Sequence, residues 1–269
     1  MDDASSQFSF RYSDERKARV LTENPQKRHY ETIHEDYGAH YYDDTSMAYR
    51  RRFLFGDLCR GLDFNDKRVA DLACGSGHNS LILRELFPRV RLHGIDLSEK
   101  ACAEYRALVG ADATECDLLA GVPEEGTFDA AMIFGGLHHC ISDLDAALTN
   151  CARLLKPGGV LLAVEPNEAY LLNRVRKLWY RHDRWFDMAT EAPLDLDDLA
   201  RRAEGNLSLE YSRFLGGPAY FIILNSLILR IPVGVKRRLA APLFAMEAAF
   251  NRLPGRWLFP AFISRWRRL

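Results

Sequence analysis

The chain has 269 residues, 48% of them hydrophobic, with 36 Lys+Arg against 37 Asp+Glu and a formal net charge of −1. A chain this long buries enough apolar surface to fold without disulfide or metal staples, and its composition excludes collagen, low complexity and wholesale disorder. The neutral total hides an asymmetry. Residues 61–211 carry 16 basic and 25 acidic side chains, a net of −9, whereas residues 212–269 carry 10 basic and 1 acidic, a net of +9.

The N-terminal residues 1–60 read as helical after a loose start, with a Tyr- and His-rich, proline-free stretch from Gln26 to Leu58. Met1–Phe10 is polar and acidic, without a basic segment leading into an apolar one, so a cytoplasmic location is expected. From Arg68 strands and helices alternate. Strands are expected at Arg68–Ala73, Val90–Ile95, Asp112–Cys116, Phe128–Phe134 and Val160–Glu165, and helices at Asn79–Phe87, Glu99–Val109 and Asp143–Leu155. Ser98 is the N-cap of the second helix, and Lys156-Pro157-Gly158-Gly159 is a stop signal after the third. This alternation implies an α/β fold with a mostly parallel, doubly wound Rossmann-like sheet. After Glu165 an insertion over 166–195 interrupts the rhythm, Leu196–Glu204 is a short amphipathic helix, and Leu207–Phe214 alternates like an edge strand. Residues 216–269 read as a basic, aromatic helical extension broken at Pro232, Pro242, Pro254 and Pro260. None of the six cysteines forms a Cys-x-x-Cys pair, so they read as small reduced hydrophobes and no metal site is expected.

The chemistry concentrates after the first strand. In an open parallel sheet the ligand lies beyond the carboxyl ends of the strands. Here that position carries Asp71-Leu72-Ala73-Cys74-Gly75-Ser76-Gly77. Gly75 and Gly77 permit a tight turn and close backbone approach to a ligand. Asp96, closing the second strand, stands at the spacing of a ribose-binding carboxylate. A dinucleotide motif needs a third glycine where Ser80 stands, and Asp71 would repel a phosphate while suiting a positively charged amino group.

Five blocks in order, Val69–Leu83 (VADLACGSGHNSLIL), Gly94–Ser98 (GIDLS), Cys116–Leu118 (CDL) before Thr127-Phe128-Asp129, Gly136–His139 (GLHH) and Leu154–Glu165 (LLKPGGVLLAVE), resemble the class I S-adenosylmethionine-dependent methyltransferases. The resemblance implies a seven-stranded sheet with a reversed last hairpin, and it assigns roles. Asp71 faces the methionine amino group, and Gly75 and Gly77 lie under the methionine moiety. Asp96 holds the ribose hydroxyls and Leu97 packs on the adenine. Asp117 accepts from the exocyclic amine, with Asp112 as the alternative, and the Leu118 amide reaches the ring. Phe134 and Gly135 floor the pocket near the sulfonium. Ala73, where the family usually has glycine, and Asn79 belong to the same cofactor-binding set, and Tyr42 resembles a lid tyrosine.

A neutral acceptor such as a phenol or alcohol needs a general base. His138 and His139 follow the fourth strand, and the expected base is His139 ahead of His138; packing against the cofactor is the alternative for the pair. Glu165 is the next candidate and faces the same cleft with Pro166 and Asn167. His182 and Glu191 lie in the insertion. His29, Tyr30, His34, Tyr37, Tyr41, Tyr42 and Tyr49 belong to the N-terminal lid. The tail combines Trp257, Phe259, Phe262 and Trp266 with nine further basic residues from Arg230 on, a pattern that fits an interfacial element on anionic lipid. A pocket cap or a homodimer face are the alternatives, and nucleic acid is not an expected partner. The reading is an enzyme that methylates an apolar or lipid-like small molecule, at oxygen ahead of nitrogen or carbon, in the cytoplasm or at the inner face of the membrane. A nicotinamide-dependent oxidoreductase and a non-catalytic membrane-docking scaffold are the rivals.

Overall fold

The computed structural model of the protein describes residues 41–173, 192–226 and 230–269. His29, Tyr30, His34, Tyr37, His182 and Glu191 lie outside the described residues. The sheet has seven strands: β1 (Arg68–Leu72), β2 (Arg91–Asp96), β3 (Ala113–Glu115), β4 (Phe128–Phe134), β5 (Leu155–Pro166), β6 (Leu207–Leu215) and β7 (Ala261–Arg268). Their order is β3-β2-β1-β4-β5-β7-β6. β1 to β5 pair in parallel, while β7 runs antiparallel to β5 on one side and β6 on the other. The expected mostly parallel α/β sheet with a reversed last hairpin is the one observed.

The central strands are short apolar runs because both faces of the sheet are covered. Alternate side chains feed two cores. Val69, Ala130, Met132 and Leu162 point to one face, and Ala70, Leu72, Ala131, Ile133 and Leu161 to the other. On the first face lie α1, α2 (His78–Leu86), α3 (Glu99–Val109) and α6 (Val233–Phe250). α1 runs through Asp44–Tyr49, continues as a π-helical stretch over Arg50–Phe55 and ends in Gly56–Leu58. On the second face lie α4 (Leu144–Leu154) and α5 (Leu196–Ala203). Caps fall where the sequence puts them. Ser98 Oγ accepts from the Ala101 amide, and Asp43, Asp143 and Asp195 cap α1, α4 and α5.

The tail departs from its expected form. Residues 261–268 are not helical: they form β7, an inner strand of the sheet. Phe262 and Trp266 are buried on the α4/α5 face and Ile263 on the other, while Arg265 and Arg267 reach over to Glu210 on β6. Nor does Pro242 break a helix, since α6 runs through it. Pro242 is exposed, so the carbonyl left without its amide partner can turn to water.

Five of the tail's ten basic residues pair with acids of the same chain. Arg213 pairs with Asp57, Lys236 with Asp43, Arg256 with Asp195 and Asp197, and Arg265 and Arg267 with Glu210, while Arg268 donates to the Leu155 carbonyl. Among the described residues no helix is long and apolar enough to cross a membrane.

Candidate active site at the carboxyl ends of the strands

β1 delivers Asp71 to the rim of the sheet, and the chain then turns through Ala73 (φ 52°), Gly75 (φ 51°) and Gly77 (φ 90°) before α2 begins. Ala73 therefore sits in left-handed geometry without glycine's freedom, a strained backbone of the kind that collects at binding sites. At Gly77 a Cβ would stand 2.3 Å from Val109 Cγ2 and 2.6 Å from Tyr105 Cδ2. That glycine lets α2 close onto α3.

Asp96, at the end of β2, ties this turn down. Its Oδ2 accepts from the Gly75 amide at 2.9 Å and its Oδ1 from the Ser98 amide at 2.9 Å. Its acceptor-only oxygens suit the two hydroxyls of a vicinal diol. Asp71 is buried and accepts from Ser80 Oγ at 2.8 Å, and Ser80 in turn meets Tyr105 Oη. Burial pushes the Asp71 carboxyl up to about 8; the Ser80 hydroxyl offsets part of this and the nearby Asp96 charge adds to it. An acid held in this way gains most from a ligand that brings a positive charge.

Tyr42 stacks on His78 with ring centroids 3.9 Å apart, covering the mouth of the turn, and His78 Nδ1 meets Ser76 Oγ at 2.9 Å. Arg50, from α1, lies over the Tyr42 ring at 5.3 Å and donates to Asn79 Oδ1 at 3.1 Å. Its buried Nε has no partner among the described residues. The sequence reading missed Arg50: it stands in an Arg50-Arg51-Arg52 run that looks like a solvated face, and only the helix geometry turns one of the three inward.

Farther along the rim, Asp117 is buried and its Oδ1 accepts from the Leu119 amide at 2.9 Å; Leu118 is buried and its carbonyl accepts from Asn150. Leu97 is half-buried. Phe134 packs on Phe55 of α1, ring centroids 4.9 Å apart, and Gly135 follows it, exposed, with φ 70°.

The ends of β4 and β5 are stitched by Glu165. Its Oε1 accepts from the amides of Gly136 (3.1 Å) and Leu137 (2.8 Å), and its Oε2 from the His138 amide (3.2 Å) and His138 Nδ1 (2.8 Å). Four donors fill the acceptor sites of this buried carboxylate. His138 Nδ1 must donate in this contact, which leaves Nε2 as the basic nitrogen. A Cβ built on Gly135 would lie 3.6 Å from His138 Cε1, so the ring edge stands at the end of β4. The His139 ring lies 4.0 Å away, tilted. Sequence reasoning ranked His139 first because it could not see which neighbour Glu165 holds.

These groups fit S-adenosylmethionine by their chemistry. Paired carboxylates without a lysine beside the glycine turn disfavour a pyrophosphate, and they suit an ammonium group and a ribose diol. The partnerless Arg50 Nε supplies a donor for a carboxylate.

Residues 69–159 match a family model described as a methyltransferase domain. The chain is 34% identical over 124 residues to the demethylmenaquinone methyltransferase of Thermus thermophilus, covering 44% of this chain and 54% of that one. To the trans-aconitate 2-methyltransferase of Paracidovorax citrulli it is 27% identical over 157 residues, covering 58% and 55%. The chain thus spans about half the length of the curated relatives it matches. The fold is similar to geranyl diphosphate C-methyltransferase from Streptomyces coelicolor A3(2) (TM-score 0.55, 14% identity, covering 82% of this chain and 76% of that one). It is similar also to a SAM dependent methyltransferase from Archaeoglobus fulgidus (TM-score 0.54, 18% identity, 86% and 97%).

Proposed function

We propose, from the premise that residues 69–159 are a class I S-adenosylmethionine-dependent methyltransferase domain, that this chain methylates an oxygen of an apolar small molecule with His138 as general base. The observation that carries the reading is the Glu165–His138 pair at the ends of β4 and β5. A sulfonium donor is already activated, so the protein's task is to align the acceptor, exclude water and remove one proton. His138 Nε2 takes that proton from the acceptor hydroxyl, while Glu165 fixes the ring and stabilises the imidazolium that forms.

The same proposal assigns the cofactor-binding set. Asp71 receives the methionine ammonium, Arg50 the methionine carboxylate and Asp96 the ribose hydroxyls. Leu97, Asp117 and Leu118 line the adenine site, Phe134 and Gly135 the methyl site, and Ala73, Gly75, Gly77 and Asn79 shape the turn. Tyr42 closes over it. When bound, the cofactor supplies the electrophilic methyl group.

The acceptor comes first in the test: untargeted mass spectrometry of a deletion strain finds metabolites lacking one methyl group. With that acceptor, His138→Ala should lower kcat roughly 10²-fold or more while S-adenosylhomocysteine affinity is kept. His139→Ala should cost far less. A His138→Ala enzyme that retains wild-type turnover would remove the base assignment, and a product methylated at carbon or nitrogen would remove the O-methyl reading.

A further inference from the structure

We infer that the outward face of α6 is a docking surface for an anionic lipid membrane. α6 has two faces with different chemistry. Lys236, Leu243 and Glu247 point inward and are buried. Beside that buried line, about a quarter turn away, Val235, Leu239, Pro242 and Met246 recur at spacings of four, three and four residues and form one exposed stripe. Val235, Leu239 and Met246 are 41%, 42% and 53% exposed, and the exposed Leu253 follows just past the helix end.

The charge on the exposed side of the helix has one sign, with Arg238 flanking the stripe and Arg237 about half a turn from it. Arg237 and Arg238 on α6, and Arg252 just past its end, are exposed and have no ion pair among the described residues. The single acid of residues 212–269 is Glu247. It is buried on the inward side, where it accepts from Tyr49 Oη at 2.6 Å and from the Gly217 and Ala219 amides at 2.9 Å each. The exposed side of α6 is therefore apolar and cationic, and α6 itself places no acid on it.

That combination selects the occupant. In a two-fold contact with a second copy each patch meets itself, so the arginines would oppose one another with no acid to pair with. Nucleic acid offers phosphates to the arginines and nothing to Leu239 or Met246. An anionic bilayer surface satisfies both, with headgroups for the guanidinium groups and the acyl boundary for the apolar stripe. The inward face of the same helix holds the lid: Lys236 Nζ donates to Asp43 Oδ2 at 2.6 Å and Ser46 Oγ at 3.0 Å, next to Tyr42 at the cofactor mouth. A docked α6 thus sets the site entrance close to the bilayer. That an apolar acceptor is collected there rests on the function proposed above; the docking does not.

The experiment is co-sedimentation of the full chain with sucrose-loaded vesicles, either of equal parts phosphatidylcholine and phosphatidylglycerol or of phosphatidylcholine alone. It is run at low and high salt, with sedimentation velocity as the check on oligomeric state. The wild type should pellet with the anionic vesicles, and salt should weaken this without abolishing it. Each basic side chain near an anionic surface is worth roughly five-fold in partitioning, so Arg237→Gln with Arg238→Gln should lower binding on the order of twenty-fold. Leu239→Glu with Met246→Glu should remove it. Both variants should keep wild-type S-adenosylhomocysteine affinity, which separates a docking failure from a failure of the cofactor site. Wild-type protein that stays in the supernatant at low salt overturns the inference. So does binding that neither variant weakens, or a wild-type dimer that Leu239→Glu dissociates.

Discussion

The proton on Asp71 gives the sharpest test of the cofactor site. With its carboxyl pushed up to about 8 by burial, at pH 7, one unit lower, roughly nine in ten unliganded molecules carry that proton. A ligand ammonium placed against Asp71 favours the ionised form, so binding expels the proton. The sign follows: below pH 8 affinity should rise with pH, approaching tenfold per unit at the acid end. The ligand's own α-amino group, with an ordinary pKa of about 7.7–8.0, loses its charge above that range, so affinity should pass through a maximum near pH 8. Titration calorimetry with S-adenosylhomocysteine in two buffers of different ionisation enthalpy counts the protons directly. At pH 7 the wild type should release close to one proton per ligand bound. Asp71→Asn should release none and lose the acid limb. A wild type that binds with no proton release between pH 6 and 8 would refute the placement of the ammonium group at Asp71.

Gly77→Ala combines a left-handed backbone with a Cβ 2.3 Å from Val109. Strain at such a φ costs about 1–2 kcal/mol and overpacking about 1–3 kcal/mol, so the urea midpoint should fall by the equivalent of roughly 2–5 kcal/mol; an unchanged midpoint would mean α2 does not close onto α3 as described. Lys236→Met leaves the half-buried Asp43 without its cation, although Ser46 and two amides remain as donors. The loss should be about 3 kcal/mol, with weaker cofactor binding as the Tyr42 segment loosens, whereas Arg237→Gln one residue away should stay within about 0.5 kcal/mol. Burial tends to raise the Asp43 carboxyl, but the hydrogen bonds from Lys236 and Ser46 prevail and hold it below the usual carboxylate range. The pair should therefore survive mild acid, a point that amide exchange in α1 at pH 5 and pH 7 would check.

The parallel half of the sheet was legible because local rules and the fold agree there. The glycine turn, the Ser98 cap and the apolar run of β4 each have one physical reading, and the structure adopts it. β7 was not legible. Its arginines and the preceding Pro260 resemble a broken amphipathic helix, and the alternation of Phe262, Ser264 and Trp266 acquires meaning only when β5 and β6 lie on either side. Lys236 reads as a surface charge until Asp43, distant in sequence, is brought beside it. The Glu165–His138 contact likewise joins two strand ends, and no spacing rule connects them. Composition shows the tail's charge but not its destination, since half of those cations answer acids elsewhere in the chain.

The interior position of β7 also orders events in time. Leu162 pairs with Arg265, roughly a hundred positions farther along the chain, and long loops close slowly. β1 to β5 can assemble from neighbouring units, but β6 has no partner until β7 arrives between it and β5. The folding route should therefore pass through a half-sheet with the β5 edge bare, a species open to edge-to-edge association. α6 lies in the loop that this last pairing closes, so Lys236 and Glu247 reach Asp43 and Tyr49 only then. Maturation of the cofactor mouth would thus coincide with completion of the sheet, and refolding followed by S-adenosylhomocysteine binding should lag behind refolding followed by burial of the β1–β4 core.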